Sequence, residues 1–160
     1  MYNIGDKIVY PMHGAGIIES IEEKEILGKK QKYYVMKMPI GDMKVMIPLD
    51  SVKEIGVRDI INQQEAENVM KIFKSEKTDM SSNWNKRYRE NMVKIKSGNI
   101  YEVAHVVKNL MHRDREKGLS TGERKMLNSA KQILVSELVL AKNMGQREVE
   151  HMIEDMIEQV

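Results

Sequence analysis

The 160 residues are 41% apolar and 31% charged, which is ordinary globular composition and too apolar for wholesale disorder. The absence of cysteine excludes disulfides and thiolate chemistry, and no window reaches the roughly 18 apolar residues of a membrane span, so the reading is a soluble cytosolic protein of one large or two small domains. The net charge of +2 hides an uneven spread: residues 1–60 carry nine basic and nine acidic side chains, whereas residues 81–118 carry nine basic and four acidic. A polyanion partner is the functional reading of that surplus, and a solvated helix face the plainer one.

The first 55 residues read as strands. Lys7 to Tyr10 is a short apolar run closed by Pro11, which cannot donate to a central ladder. Gly14 and Gly16 mark a bend or bulge before the long strand GIIESIEEKEI. LGKK around Gly28 predicts a hairpin turn, KYYVMKM the next strand, Ile40-Gly41-Asp42 a second turn, and MKVMIP a closing strand. Four or five short antiparallel strands predict a small Tudor- or SH3-like β-barrel, with exposed edges and little room for an internal site.

From about residue 62 the period becomes helical. Helices are expected near 65–75 and 84–96. Asn99, with Glu102 three residues on, predicts the start of a helix whose stripe is Ile100, Val103, Ala104, Val107, Leu110 and Met111, ended by Gly118. Ser120-Thr121-Gly122-Glu123 reads as a capping box opening a helix through Ala141, broken at Gly145. A last stripe joins Val149, Met152, Ile153, Met156, Ile157 and Val160. The fold class is therefore α+β: a Tudor-like domain over 1–54, a linker over 55–63 and a compact five-helix domain over 64–160. The 14 methionines read as core packing rather than a promiscuous groove.

Nothing in the chain spells an active site. His13, His105, His112 and His151 are too scattered for a metal motif, and no nucleophile elbow, phosphate loop or dinucleotide fingerprint is present. No metal and no cofactor is expected, and the protein is read as no enzyme. Tyr10, Tyr33 and Tyr34 raise the thought of an aromatic cage for a methylated lysine. Adjacent strand residues point to opposite faces, which argues against it.

The segment SSNWNKRYRENMVKIKSG at 81–98 holds the only tryptophan beside five basic residues. On a helical wheel Ile95 lies about 20°, Tyr88 about 40° and Met92 about 80° from Trp84, which puts the indole on the margin of the inward face. That spacing favours a core or staple role. Against it, Trp84 stands in a first turn, where a side chain projects past the helix end, and Ser81, Ser82 and Asn83 supply capping groups. An apolar wedge with a basic collar is how minor-groove proteins open a base step. Spacing leaves the two open.

Four stretches carry a resemblance. GDKIVYPMHGAGIIESIE at 5–22, IGVRDI at 55–60, NWNKRY at 83–88 and RDREKGLSTGERKMLNSAKQILVSELVLAK at 113–142 resemble, in order and spacing, the CarD/CdnL family of bacterial transcription regulators. The resemblance implies an N-terminal domain that pairs a strand edge with the lobe of the RNA polymerase β subunit. It implies a helical domain at the upstream edge of the melted promoter, with Trp84 wedged into the minor groove. Lys86, Arg87 and Arg89 are then expected on DNA, and Lys24, Met46 and Ile47 on polymerase. Lys24 and Met46 stand where familiar members carry arginine, so the polymerase contact would lean on backbone pairing and apolar packing. Lys86 and Arg89 exchange the family's arginine and lysine. The expected function is a non-enzymatic initiation regulator that stabilises the open complex, without membrane contact. It is expected as a monomer with a swappable edge strand. The rival readings are a polymerase-bound adaptor with Trp84 buried, and an RNA-binding barrel, which the balanced N-terminal charge disfavours.

Overall fold

Residues 1–76 and 79–159 are described by the structure, a computed structural model. The strand-period region forms one antiparallel sheet of β1 (Lys7–Tyr10), β2 (Gly14–Ile26), β3 (Lys29–Lys37), β4 (Lys44–Pro48) and β5 (Arg58–Asp59), in the order β4-β3-β2-β1-β5. Leu27 and Gly28 both take positive φ, 53° and 78°, the geometry that a two-residue hairpin needs to match strand twist. At Gly16 the strands come so close that a Cβ would lie 2.5 Å from Met36 Cγ, so a side chain is excluded there.

The sheet is open and does not close into the expected barrel: β4 and β5 are its two edges. Closure needs strands long enough to tilt and stagger around an axis, and β5 has two residues. The inner face is plugged instead. Ile8, Ile18, Tyr34, Met36, Met38 and Ile47 form its core, and Tyr2, Leu49, Val52, Ile55 and Val57 pack over them from the N-terminus, a 3-10 turn at Leu49–Ser51 and the short helix α1 (Val52–Ile55). Tyr34 is a core residue whose hydroxyl accepts from Tyr2 N at 3.0 Å, so it is no wall of an aromatic cage.

Five further helices follow: α2 (Gln63–Lys71), α3 (Trp84–Lys96), α4 (Ile100–Lys117), α5 (Thr121–Lys142) and α6 (Gln146–Glu158). α2 starts in a full capping box, with Glu65 N donating to Asn62 Oδ1 at 2.8 Å and Asn62 N to Glu65 Oε1 at 3.2 Å. The stripes of α4 and α5 face each other, and Val69, Met70 and Phe73 close one side while Val149, Ile153 and Ile157 of α6 close another. Val160, expected on that last stripe, lies outside the described residues. Each such fully buried side chain contributes about 1.5–3 kcal/mol of transfer free energy, so this interior fixes where α3 and the start of α5 sit.

The segment 55–63, expected as a linker, is a strap. Its Arg58 and Asp59 add β5 beside β1, and Arg58 forms a two-pronged ion pair with Glu137 of α5, Nη1–Oε2 2.7 Å and Nη2–Oε1 2.8 Å. Glu137 Oε2 also accepts from Ile61 N at 2.9 Å, and Ser136 Oγ accepts from Ala15 N of β2 at 2.9 Å. Glu137 is almost wholly buried, and those donors satisfy both of its carboxylate oxygens. The helical region is thereby bolted to the sheet.

Candidate nucleic-acid interface

Asn83 sits in the extended region, φ −76° and ψ 120°, and its Oδ1 accepts from Lys86 N at 3.0 Å, which starts α3 at Trp84. The indole stands at the first helical position with 42% of its surface exposed. Tyr88, one turn on, stacks against it with ring centroids 5.0 Å apart and planes 19° apart. Nε1 donates to Ser120 Oγ, the N-cap of α5, at 3.0 Å. Gly122 lies below the ring edge, where a Cβ would be 3.4 Å from Cζ2.

Lys86 and Arg89 are both exposed on the outward side of α3, and neither ion-pairs with a carboxylate among the described residues. Asn83, Trp84, Asn85, Tyr88 and Arg89 line a depression of about 410 Å³, room for a sugar or base edge against the ring. The arrangement offers a flat apolar face with Arg89 on its rim, suited to stacking under a phosphate-bearing strand.

Arg87 does not belong to that rim, contrary to expectation. It is 2% exposed and grips Glu123 of α5 through Nε–Oε2 at 2.7 Å and Nη2–Oε1 at 3.0 Å. Its Nη1 donates to Ser81 O at 3.0 Å, tying down the approach to the helix. The reason is angular: three residues on from Trp84 is about 60° to one side of it, toward α5, whereas Lys86 and Arg89 rotate outward to about 160° and 140°. Hydrogen bonding from Arg87 holds the Glu123 carboxyl below the usual carboxylate range, against the upward push of burial, and the Arg87 guanidinium is raised in turn. Glu123 therefore leaves its expected place in a capping box; Ser120 Oγ still accepts from Glu123 N at 3.2 Å, but the carboxylate turns to Arg87.

Behind the site, Lys108 of α4 is buried with no carboxylate partner among the described residues, its Nζ donating to Ser75 Oγ and Glu76 O at 3.0 Å each. Burial pushes its pKa down. The two bonds hold the chain end that leads toward α3.

The expected polymerase residues separate. Lys24 is exposed on the outer half of the β2–β3 hairpin, opposite Gln31 and beyond the end of β4. Met46 is partly exposed on β4, opposite Val35. Ile47 is 0% exposed, its side chain inside the sheet's core, so only its backbone is available at the edge. Strand alternation explains the difference between these two neighbours. β4 is the outermost strand and leaves one side of its backbone without a partner strand. Among the described residues no group of three or more histidine, aspartate or glutamate side chains is gathered for a metal, and no helix is long and apolar enough to cross a membrane.

Sequence reasoning missed Ser120 and Gly122 as neighbours of the indole, and Glu123 as the partner of Arg87. Their signal was present, since Ser-Thr-Gly-Glu marks a helix start, but nothing local says which side chain that start faces.

Comparison with known proteins finds matches for both regions of the chain. The CarD C-terminal domain matches residues 68–154, and the CarD-like/TRCF RID domain residues 2–61. Over 149 residues the chain is 45% identical to the "Putative transcription factor YdeB" of Bacillus subtilis (strain 168), covering 93% of this chain and 97% of that protein. The solution NMR structure of the 72-residue N-terminal domain of Myxococcus xanthus CarD is 34% identical over 37% of this chain and 79% of that one, with a TM-score of 0.33. With one domain of the family matched on the sheet and the other on the helices, the chain belongs to the CarD family of transcription regulators.

Proposed function

We propose that the protein docks on the RNA polymerase β subunit through the free edge of β4 and stabilises the open promoter complex by lodging Trp84 in the minor groove at the upstream edge of the bubble. The observation that carries this reading is the half-exposed indole at a helix start, beside the exposed Arg89 of the same depression and with Lys86 exposed on the same helix. Lys86 and Arg89 bind the flanking phosphates, while Arg87 braces the helix from within. Lys24, Met46 and the backbone of Ile47 serve the polymerase side by adding a strand. The protein works in the bacterial cytoplasm as a monomer, with residues 1–54 and 64–160 as its two functional parts and no cofactor.

Two cations make a small footprint, so affinity for free DNA is weak and salt-sensitive. Docking on polymerase removes that handicap by raising the local concentration of the helical region at the promoter. Opening a base step costs a few kcal/mol, so the indole enters only where stacking is already broken, and it binds the melted state better than the closed one. A preference of about 1.4 kcal/mol shifts the open–closed equilibrium tenfold.

The test is Trp84→Ala on promoter-complex lifetime, with polymerase binding measured separately. A shortened lifetime with intact docking is expected. Unchanged lifetime with intact docking would reject the wedge and leave an adaptor that bridges polymerase to another protein.

A further inference from the structure

We propose that Ser120, with Tyr88 and Gly122, forms a positioning socket that presets the Trp84 ring before DNA arrives, an inference that rests on the wedge reading above. Two contacts remove two different freedoms. Stacking on Tyr88 at 5.0 Å and 19° sets the plane of the indole, and the 3.0 Å bond from Nε1 to Ser120 Oγ sets its rotation within that plane. An indole at an exposed helix start otherwise samples several rotamers and loses that freedom on insertion.

The socket is itself fixed. Ser120 Oγ accepts from both Trp84 Nε1 and Glu123 N, and its own proton points to Glu123 Oε1 at 3.5 Å, so both lone pairs and the hydroxyl hydrogen are used. Glu123 in turn is clamped by Arg87 of the helix that carries the tryptophan. Gly122 completes the floor: a Cβ there would already be in van der Waals contact, 3.4 Å from Trp84 Cζ2 and 4.0 Å from Tyr88 Cε2, so the ring lies directly against the backbone of α5. None of the three needs to touch DNA.

Trp84 is the sole tryptophan, so its fluorescence anisotropy decay in the full-length protein reads the ring directly. Ser120→Ala is expected to speed local indole rotation and to shorten promoter-complex lifetime by about two- to tenfold, the span of one hydrogen bond. Ser120→Thr, which keeps the hydroxyl, should restore both. Because Ser120 also caps α5, its loss lowers stability, and a cycle with Trp84→Phe separates the two effects. Phenylalanine keeps a ring without the N–H, so Ser120→Ala should then leave lifetime unchanged within about twofold. If Ser120→Ala costs the same in both backgrounds, or leaves indole rotation unaltered, the socket is wrong while the wedge stands. If Trp84→Ala itself has no effect on lifetime, the wedge reading falls and takes the socket with it.

Discussion

Replacing Arg87 with alanine removes both prongs of a buried ion pair and the bond to Ser81 O, and among the described residues leaves the 2%-exposed Glu123 carboxylate with Ser120 and the Arg113 Nε, 4.0 Å away. Breaking a buried pair from one side costs about 3–5 kcal/mol, because the surviving charge stays desolvated. That is a large share of a total of about 5–15 kcal/mol. At about 2–4 °C per kcal/mol for a chain of this length, the melting temperature should fall by about 6–20 °C. Circular dichroism melts at neutral pH give the number. The double replacement Arg87→Met with Glu123→Leu should recover most of it, since neither charge then remains buried. The pH dependence has a defined sign. Glu123 is held below its unfolded value of about 4.3, so the stability it contributes is complete above that value and is lost as pH falls through the lowered one. The gap between the wild type and Glu123→Gln should therefore close in acid. An Arg87→Ala protein that melts within about 2 °C of wild type, yet loses DNA affinity with a shallower salt slope, would refute this placement of Arg87 and return it to the DNA-facing rim.

Trp84→Ala should cost about 1–3 kcal/mol of stability, the summed range of one aromatic stack and one hydrogen bond, as measured by urea unfolding, while promoter-complex lifetime falls. A larger loss of stability would mean that the ring is a structural anchor. Lys86→Ala and Arg89→Ala should each leave the melting temperature unchanged and reduce the slope of log affinity against log salt by about 0.9 in titrations with promoter DNA. Glu137→Ala strands Arg58 and the Ile61 amide between sheet and helices and should cost about 2–4 kcal/mol; calorimetry should show the single transition broaden or split.

Much of the helical region was legible because its signals act over one or two turns. Asn99 and Ser120 cap the helices they were expected to cap, and Gly118 ends α4. The Gly28 turn joins β2 to β3, and positive φ at Gly41 and Asp42 falls at the second expected turn. Asn62 was the local signal overlooked: with Glu65 it opens α2 two residues before the expected start. Of the site, the exposure of Lys86 and Arg89 followed from the wheel, whereas Trp84, at its margin, was undecided between core and surface until its partners were seen.

Helix starts, turn positions and the basic surplus around residue 84 were determined by the chain itself, since capping, periodicity and charge belong to neighbours in sequence. Tertiary structure decided the rest. Arg87 faces inward because Glu123, 36 residues away, waits there. The sheet stays open because a two-residue strand from the strap fills its edge, and Arg58 meets Glu137 across 79 residues to set the helices against it. A charge chooses its partner only once packing has brought the two within a few ångströms and removed the water that would otherwise serve both.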